Sequence, residues 1–444
     1  MNFKKILFVG ALAWFSAGAF AQEIKPYGFV RNYFTYDSHL SKSGTAELYN
    51  YLPLDRSLSE AGEDLNAIPT MKWASLTSRL GLDVKGYEYQ GFKFSAKIEA
   101  DFYSGLSGVT GTATFRLRQA YMDIASPKGH KFRLGQSWHP MAADIPDCIA
   151  LEIGVPFGPF SRSPQLSATW KLSDRFSLLT AGTWQVQYTS AGPEGASANY
   201  QKYSMIPELY AGLNYSHEGL TARLGADMLS IRPRVKTATA LIDESITTFS
   251  LFGYLQYSKG LFSLKAKSVL AQAGEHMNLF GGYGLSSINA DGSREYTPTL
   301  TSSSWLSISY GKTYKASLFL GYANCLGTLE PLLPAMEGAK YAATSAYDNI
   351  AKKDLDTGNY LCKSAYPNLN SAFRIAPTLS WNVGKFFTLA LEYQLTAAQY
   401  GDYVKLQSAD GKISYTCVGL NGLATDNLHW VFNHRIQLMS KFTF

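Results

Sequence analysis

Residues 74–104 read "ASLTSRLGLDVKGYEYQGFKFSAKIEADFYS". Ala74, Leu76, Leu80, Leu82 and Val84 share one parity; Thr77, Arg79, Asp83 and Lys85 share the other. Beyond the turn, Phe92, Phe94, Ala96, Ile98, Ala100 and Phe102 alternate with Lys93, Ser95, Lys97, Glu99, Asp101 and Tyr103. Successive Cβ atoms of a strand point to opposite faces, so a period of two predicts a hairpin. One face is apolar without interruption and the other carries charges of both signs. A soluble sandwich also buries one face and wets the other. Two features favour a hairpin with one side in lipid and one in water. The polar face is charged, and the apolar faces end in aromatics fit for an interfacial girdle: Tyr27, Phe34, Tyr36, Tyr188, Tyr215 and Tyr257.

The same unit recurs along the chain, from "PYGFVRNYFTY" through "TFRLRQAYMDI", "LTARLGADMLSI" and "TTFSLFGYLQYS" to "HRIQLMSKFTF". The runs number about sixteen, to within two. Short turns such as "GYEYQG", "SPKGHK", "LSDR" and "NVGK" alternate with long connections at 39–70, 138–164, 191–205, 232–245, 272–296, 325–368 and 400–427. Short turns on one side and long loops on the other predict an all-β, transmembrane antiparallel barrel with short periplasmic turns and extracellular loops. One run breaks the pattern. In Gln119–Asp123 polar residues land on the lipid parity, which a β-bulge, a subunit interface or an aqueous strand end would each explain.

The chain opens "MNFKKILFVGALAWFSAGAFAQ", with Lys4 and Lys5, an apolar stretch and Ala19-Phe20-Ala21. This predicts a signal peptide at 1–21, cleaved near Ala21, and a single barrel domain at 22–444. Losing two lysines takes the formal +6 to about +4, too mild for a nucleic-acid partner. Beyond residue 21 no run of eighteen apolar residues remains to form a helical span. The four cysteines, Cys148, Cys325, Cys362 and Cys417, fall in loops or at strand ends, where a pair such as Cys325 with Cys362 could staple loops. Their spacing matches no zinc motif, and no metal or cofactor is expected.

The last strand interleaves two sets up to the final residue: Trp430, Phe432, His434, Ile436, Leu438, Ser440, Phe442 and Phe444 against His429 to Thr443 at odd positions. Closure onto the first strand would leave it no free edge. The terminal Phe442 and Phe444 resemble the C-terminal signal by which bacterial outer-membrane barrels are recognised for insertion. "IKPYGFVRNYFTYDS", "LTSRLGLDVKG", "AKIEADFYSGLSG", "RLRQAYMDI", "GQSWHPMAADIP" and "PFGPFSRSPQ" resemble, in that order, the porins of Bacteroidota, akin to DcaP-like outer-membrane porins. That resemblance implies a sixteen-stranded barrel in the Gram-negative outer membrane, a homotrimer in contact with lipid, inserted by the barrel-assembly machinery and passing small hydrophilic solutes.

Parity places thirteen bases inward: Arg31, Arg79, Lys93, Lys97, Arg116, Arg118, Arg133, Arg223, Lys265, Lys267, Lys315, Arg374 and Arg435. The inward acids are six: Asp83, Glu99, Asp101, Glu208, Asp227 and Glu392. The surplus predicts a cationic wall favouring anionic or carboxylate-bearing solutes. Within it, Arg79–Asp83, Lys97–Glu99 and Arg223–Asp227 are candidate bracing pairs, and Arg116, Arg118 and Arg133 a candidate ladder. The connection at 138–164, third of the long ones, carries Asp144, Asp147 and Glu152. Folded inward, it would form a constriction whose acids, with Glu99 and Asp101, face the ladder across a transverse field. No catalytic constellation accompanies the seven histidines, so no enzyme is expected. Loop tyrosines such as Tyr49, Tyr51, Tyr200, Tyr203, Tyr283, Tyr341 and Tyr347 would pack the loops together or stack sugars. The competing reading is a non-conducting barrel whose loops serve adhesion.

Overall fold

A computed structural model describes residues 22–103, 112–193, 195–236, 239–332, 361–363, 368–402, 404–407, 413–416 and 421–444. The signal segment, Tyr341, Tyr347, Cys417 and the side chain of Cys362 lie outside the described residues. Among those described, sixteen strands close one antiparallel barrel. They are β1 (Glu23–Asp37), β2 in two pieces (Thr70–Ala74 and Arg79–Tyr89), β3 (Phe92–Phe102), β4 (Phe115–Ala125) and β5 (Lys131–Trp138). Next come β6 (Arg162–Lys171), β7 (Phe176–Thr183), β8 (Glu208–His217), β9 (Leu220–Ile231), β10 (Ile246–Lys259) and β11 (Phe262–Gln272). The last are β12 (Arg294–Gly311), β13 (Tyr314–Thr328), β14 (Leu369–Val383), β15 (Phe387–Tyr400) and β16 (His429–Thr443).

Each strand pairs with its neighbours in sequence, and β16 pairs with β1 from Phe29↔Thr443 to Asp37↔Arg435. Gly28 and Phe444 exchange both backbone hydrogen bonds, each at 3.0 Å, so the last residue is part of the seam. A Cβ on Gly28 would lie 2.6 Å from the Arg79 carbonyl and 2.7 Å from the Phe444 ring, so only glycine fits there. Closure satisfies the ladder without an edge, as a lipid surround demands. Leu80, Ile98, Leu224, Leu251, Leu379 and Leu438 are exposed on the outer face, as are Phe442 and Phe444. Gln90-Gly91 and Glu218-Gly219 both hold positive φ, as two-residue hairpin turns require.

The alternation fails where the pairing slips. Glu99 opposes Gln119 but Ala100 opposes Leu117, so β4 carries a bulge at Arg118. One extra residue resets the parity. Arg118 and Gln119 both reach Glu99 on the inner face, and Tyr121 and Asp123 then point inward beside Arg133. Tyr27 also departs from the expected girdle: its hydroxyl bonds Glu99 and Lys97 inside the barrel. Tyr188 packs on Phe160 of the third loop, again inside.

Segment 139–161 lies within the barrel. Its Met141, Val155, Phe157 and Phe160 join one apolar cluster with the wall residues Tyr210, Tyr254, Trp305 and Phe319. A short hairpin in the first connection, Ser41–Gly44 with Tyr49–Pro53, adds Tyr51 and Leu52, and the turn after β11 adds Met277, Leu279 and Phe280. Gly321 on β13 makes room: a Cβ there would lie 2.4 Å from the Phe157 ring. Tyr49, Tyr51, Tyr200 and Tyr283 are packed among loops and wall, while Tyr203 is exposed.

Candidate functional site

Three acids hold the inward loop to the wall. Arg223 on β9 bonds Asp144 at 2.6 Å. Lys265 on β11 and Lys315 on β13 reach Asp147 at 3.0 and 3.3 Å, and Ser309 donates to it at 3.0 Å. Arg374 on β14 meets Glu152 at 3.2 Å, both almost fully buried. Lys267 donates at 2.8 Å to the carbonyls of Met141 and Asp144. Burial would raise the Asp147 carboxyl, but the two lysines and Ser309 outweigh it and hold that carboxyl below its ordinary range. The loop acids are therefore pins to β9, β11, β13 and β14. They do not stand free against the arginines of the opposite wall, so the transverse field expected from them is corrected.

Those arginines gather elsewhere. Arg116 holds Asp101 with two bonds of 3.0 Å. Arg118 bridges Glu99 at 2.8 Å and Asp101 at 2.7 Å, and Arg79 lies 3.5 Å from Glu99. Arg31 donates to the Thr77 hydroxyl at 2.7 and 3.2 Å. Arg162, 2% exposed, stacks 4.0 Å from Trp138 and donates to Gln187. These five arginines, with Lys315 and Lys441, line a cavity of about 520 Å³ bounded by Ile145 to Ile153 of the loop. Two carboxylates, Glu99 and Asp101, line it with them, so the described lining holds seven bases and two acids.

Several expected partners are exchanged. Arg133 leaves the ladder: it stacks on Tyr121 and bonds Asp123 toward the turn after β4. Lys97 pairs with Asp83 at 3.0 Å, and Arg79 with Glu99. Arg223 takes Asp144 and leaves Asp227 to other neighbours. Arg435 is fully committed to Asp37 and to the carbonyls of Glu47 and Leu48 in the first loop. Glu392 accepts from the Ile149 amide and the Thr378 hydroxyl. The surplus counted by parity is thus smaller over the whole wall and concentrated at one place.

Two members of the cluster were not in the expected set. Lys441 shares the parity of Arg435 and was legible on that ground. Arg162 opens β6 inside a stretch rich in Pro and Gly, where alternation gives no parity to count. Gln119–Asp123 stood out as a break in the alternation, and the register shift opposite Glu99 and Ala100 selects the bulge among the three readings it allowed.

No family model and no curated protein matches the chain. Among solved structures it is similar to the outer membrane channel DcaP of Acinetobacter baumannii, with a TM-score of 0.60 at 16% identity, over 95% of this chain and 97% of that one. It is also similar to an anion-selective porin from Comamonas acidovorans, with a TM-score of 0.51 at 12% identity, over 95% and 100%. The trimer form of OmpT, an outer membrane protein of Vibrio cholerae, gives 0.50 at 10% identity, over 96% and 100%. At these identities the likeness is one of fold: a closed antiparallel sixteen-stranded barrel like those of outer-membrane porins.

Proposed function

We propose that the chain is a Gram-negative outer-membrane porin, related to those of Bacteroidota, through which small hydrophilic solutes diffuse passively. It is not an enzyme in this reading. The inward loop narrows the lumen, and the arginine cluster favours anionic or carboxylate-bearing solutes. The observation that carries the preference is the cavity beside the loop, lined by seven bases and two acids; with Lys315 discounted, since Asp147 pairs with it from outside the lining, six bases face two acids. A guanidinium keeps its charge at any relevant pH and offers a planar fork to a carboxylate. Arg31 and Arg162 have hydroxyl and amide partners rather than acids in that cavity, so their charge is not neutralised locally. The anion selectivity of the Comamonas porin and the trimer form of OmpT support anion preference and a homotrimer in the same reading. The terminal Phe442 and Phe444 serve as the insertion signal, after removal of residues 1–21.

Single-channel current in a planar bilayer under a salt gradient tests this. Open channels with a reversal potential on the anion side are expected. Cation preference would remove the role given to the cluster. A folded barrel without conductance would turn the assignment to surface binding through the extracellular loops.

A further inference from the structure

His139, Glu208 and Asp227 come from three separate elements: the residue after β5, the first residue of β8 and the middle of β9. All three are at most 3% exposed. One ligand atom from each lies within 4.8 Å of the others, and among the described residues no other trio of His, Cys, Asp or Glu meets this condition. His139 Nε2 is 3.5 Å from Glu208 Oε1 and 3.8 Å from Asp227 Oδ1. Both separations exceed a good hydrogen bond. They approach the spacing of about 3.3 Å between ligands that share one tetrahedral zinc at 2.0–2.1 Å.

A second observation points the same way. His139 Nε2 and Asp227 Oδ1 are buried atoms without a hydrogen bond of good geometry, and the Asp227 carboxyl lies against that of Glu208, two acids that repel unless a positive charge lies between them. A buried polar atom left so costs about 1–3 kcal/mol, and native folds rarely keep two side by side. The carboxylate between them is held from outside: His276 Nε2 meets Glu208 Oε1 at 2.6 Å, and the Thr183 hydroxyl donates to Glu208 Oε2 at 3.0 Å. Such an outer ring orients a ligating carboxylate and tunes its affinity.

We propose that His139, Glu208 and Asp227 bind one divalent cation of the zinc class at the root of the inward loop. One imidazole nitrogen and two carboxylate oxygens suit zinc better than calcium or magnesium, which prefer oxygen alone. The ion ties the loop to β8 and β9 where it leaves β5. His139 Nδ1 accepts from the Met141 amide at 3.3 Å, which places the ring proton on Nε2. Binding at Nε2 moves that proton to Nδ1 and releases the Met141 amide. Occupancy is thus linked to the short 3-10 turn Pro140–Ala142 that starts the loop.

The test is zinc binding to the purified full chain in detergent after chelator treatment, by equilibrium dialysis, with visible absorption of Co²⁺ as the coordination probe. One zinc per chain and a tetrahedral Co²⁺ spectrum abolished by zinc are expected. His139→Gln and Asp227→Asn should each weaken binding at least about 100-fold, judged against the 10–100-fold losses seen for outer ring residues alone. Asp147→Asn, which removes a loop contact to Lys265 and Lys315 and touches none of the three ligands, should bind as the wild type does. Absence of stoichiometric zinc, which would assign the space to a buried water, overturns the proposal. So does wild-type affinity in both ligand variants. Should the variants fold poorly, the wild-type Co²⁺ spectrum decides alone, since an octahedral or absent spectrum overturns the site. Binding is read without any current, so its failure is distinct from that of the porin reading.

Discussion

Replacing Arg374 by alanine should free the inward loop while leaving the barrel closed. The Arg374 guanidinium makes five hydrogen bonds: to Thr396 Oγ1 at 2.8 Å, Glu152 Oε1 at 3.2 Å and the carbonyls of Val155, Asn50 and Tyr51 at 3.0–3.2 Å. It is 1% exposed and Glu152 is fully buried. Truncation leaves the Glu152 carboxylate in the interior with Gln394 as its remaining donor. Stranding one partner of a buried ion pair costs about 3–5 kcal/mol. At about 1.4 kcal/mol per decade, the equilibrium between docked and released loop should shift by two to three and a half orders of magnitude. Hydrogen exchange reads this directly. The amides of Val155, Phe157 and Phe160, bonded to Glu152, Gly154 and Met277, should lose protection by about that factor. Wall amides of β14 and β15 should keep theirs. Glu152→Ala combined with Arg374→Ala should cost less than the sum of the two, because no lone charge remains. Loop exchange within about threefold of wild type in Arg374→Ala would refute the reasoning, since a carboxylate stranded in the interior demands a far larger shift.

Other perturbations give distinct outcomes. Arg162→Gln and Arg31→Gln should each reduce anion preference by about twofold, the effect of one charge about 8 Å from the permeating ion in water, read as a shift in reversal potential. Gly321→Val should push Phe157 off the wall and raise open-channel noise, with overpacking worth about 1–3 kcal/mol. Asp147 is held below the ordinary carboxylate range, so its contribution is present above the unfolded value of about 3.9 and is lost as pH falls through the lower folded value. Loop protection at Asp147, whose amide bonds Ser307, should therefore persist from pH 7 to about 4 and decline only below that. Gly28→Val should impair closure at the β1–β16 seam, seen as loss of the heat-resistant folded band.

The strand order, the alternation of short turns and long connections, and the closure at Phe444 were legible in the sequence. Each rests on a local rule: side chains of a strand alternate, and every backbone group in lipid needs a partner. The same rule put Arg116, Arg118 and Arg374 on the charged face of their strands. Their partners were not legible. Arg118 reaches both Glu99 and Asp101 because a bulge adds one residue to β4; the broken period at Gln119–Asp123 marked the place but left a bulge, an interface and a wet strand end equally open, and only the pairing chose. Arg162 joins the cluster from a stretch without alternation. Asp144, Asp147 and Glu152 could be read as acids of an inward loop, but the wall bases that capture them lie 79 to 222 residues away. His139, Glu208 and Asp227 meet only once β5, β8 and β9 are closed into the barrel and the loop turns in. A pattern of period two fixes which face a residue occupies. Which charges touch on that face is a matter of register, bulge and loop packing, and those are set by the whole fold.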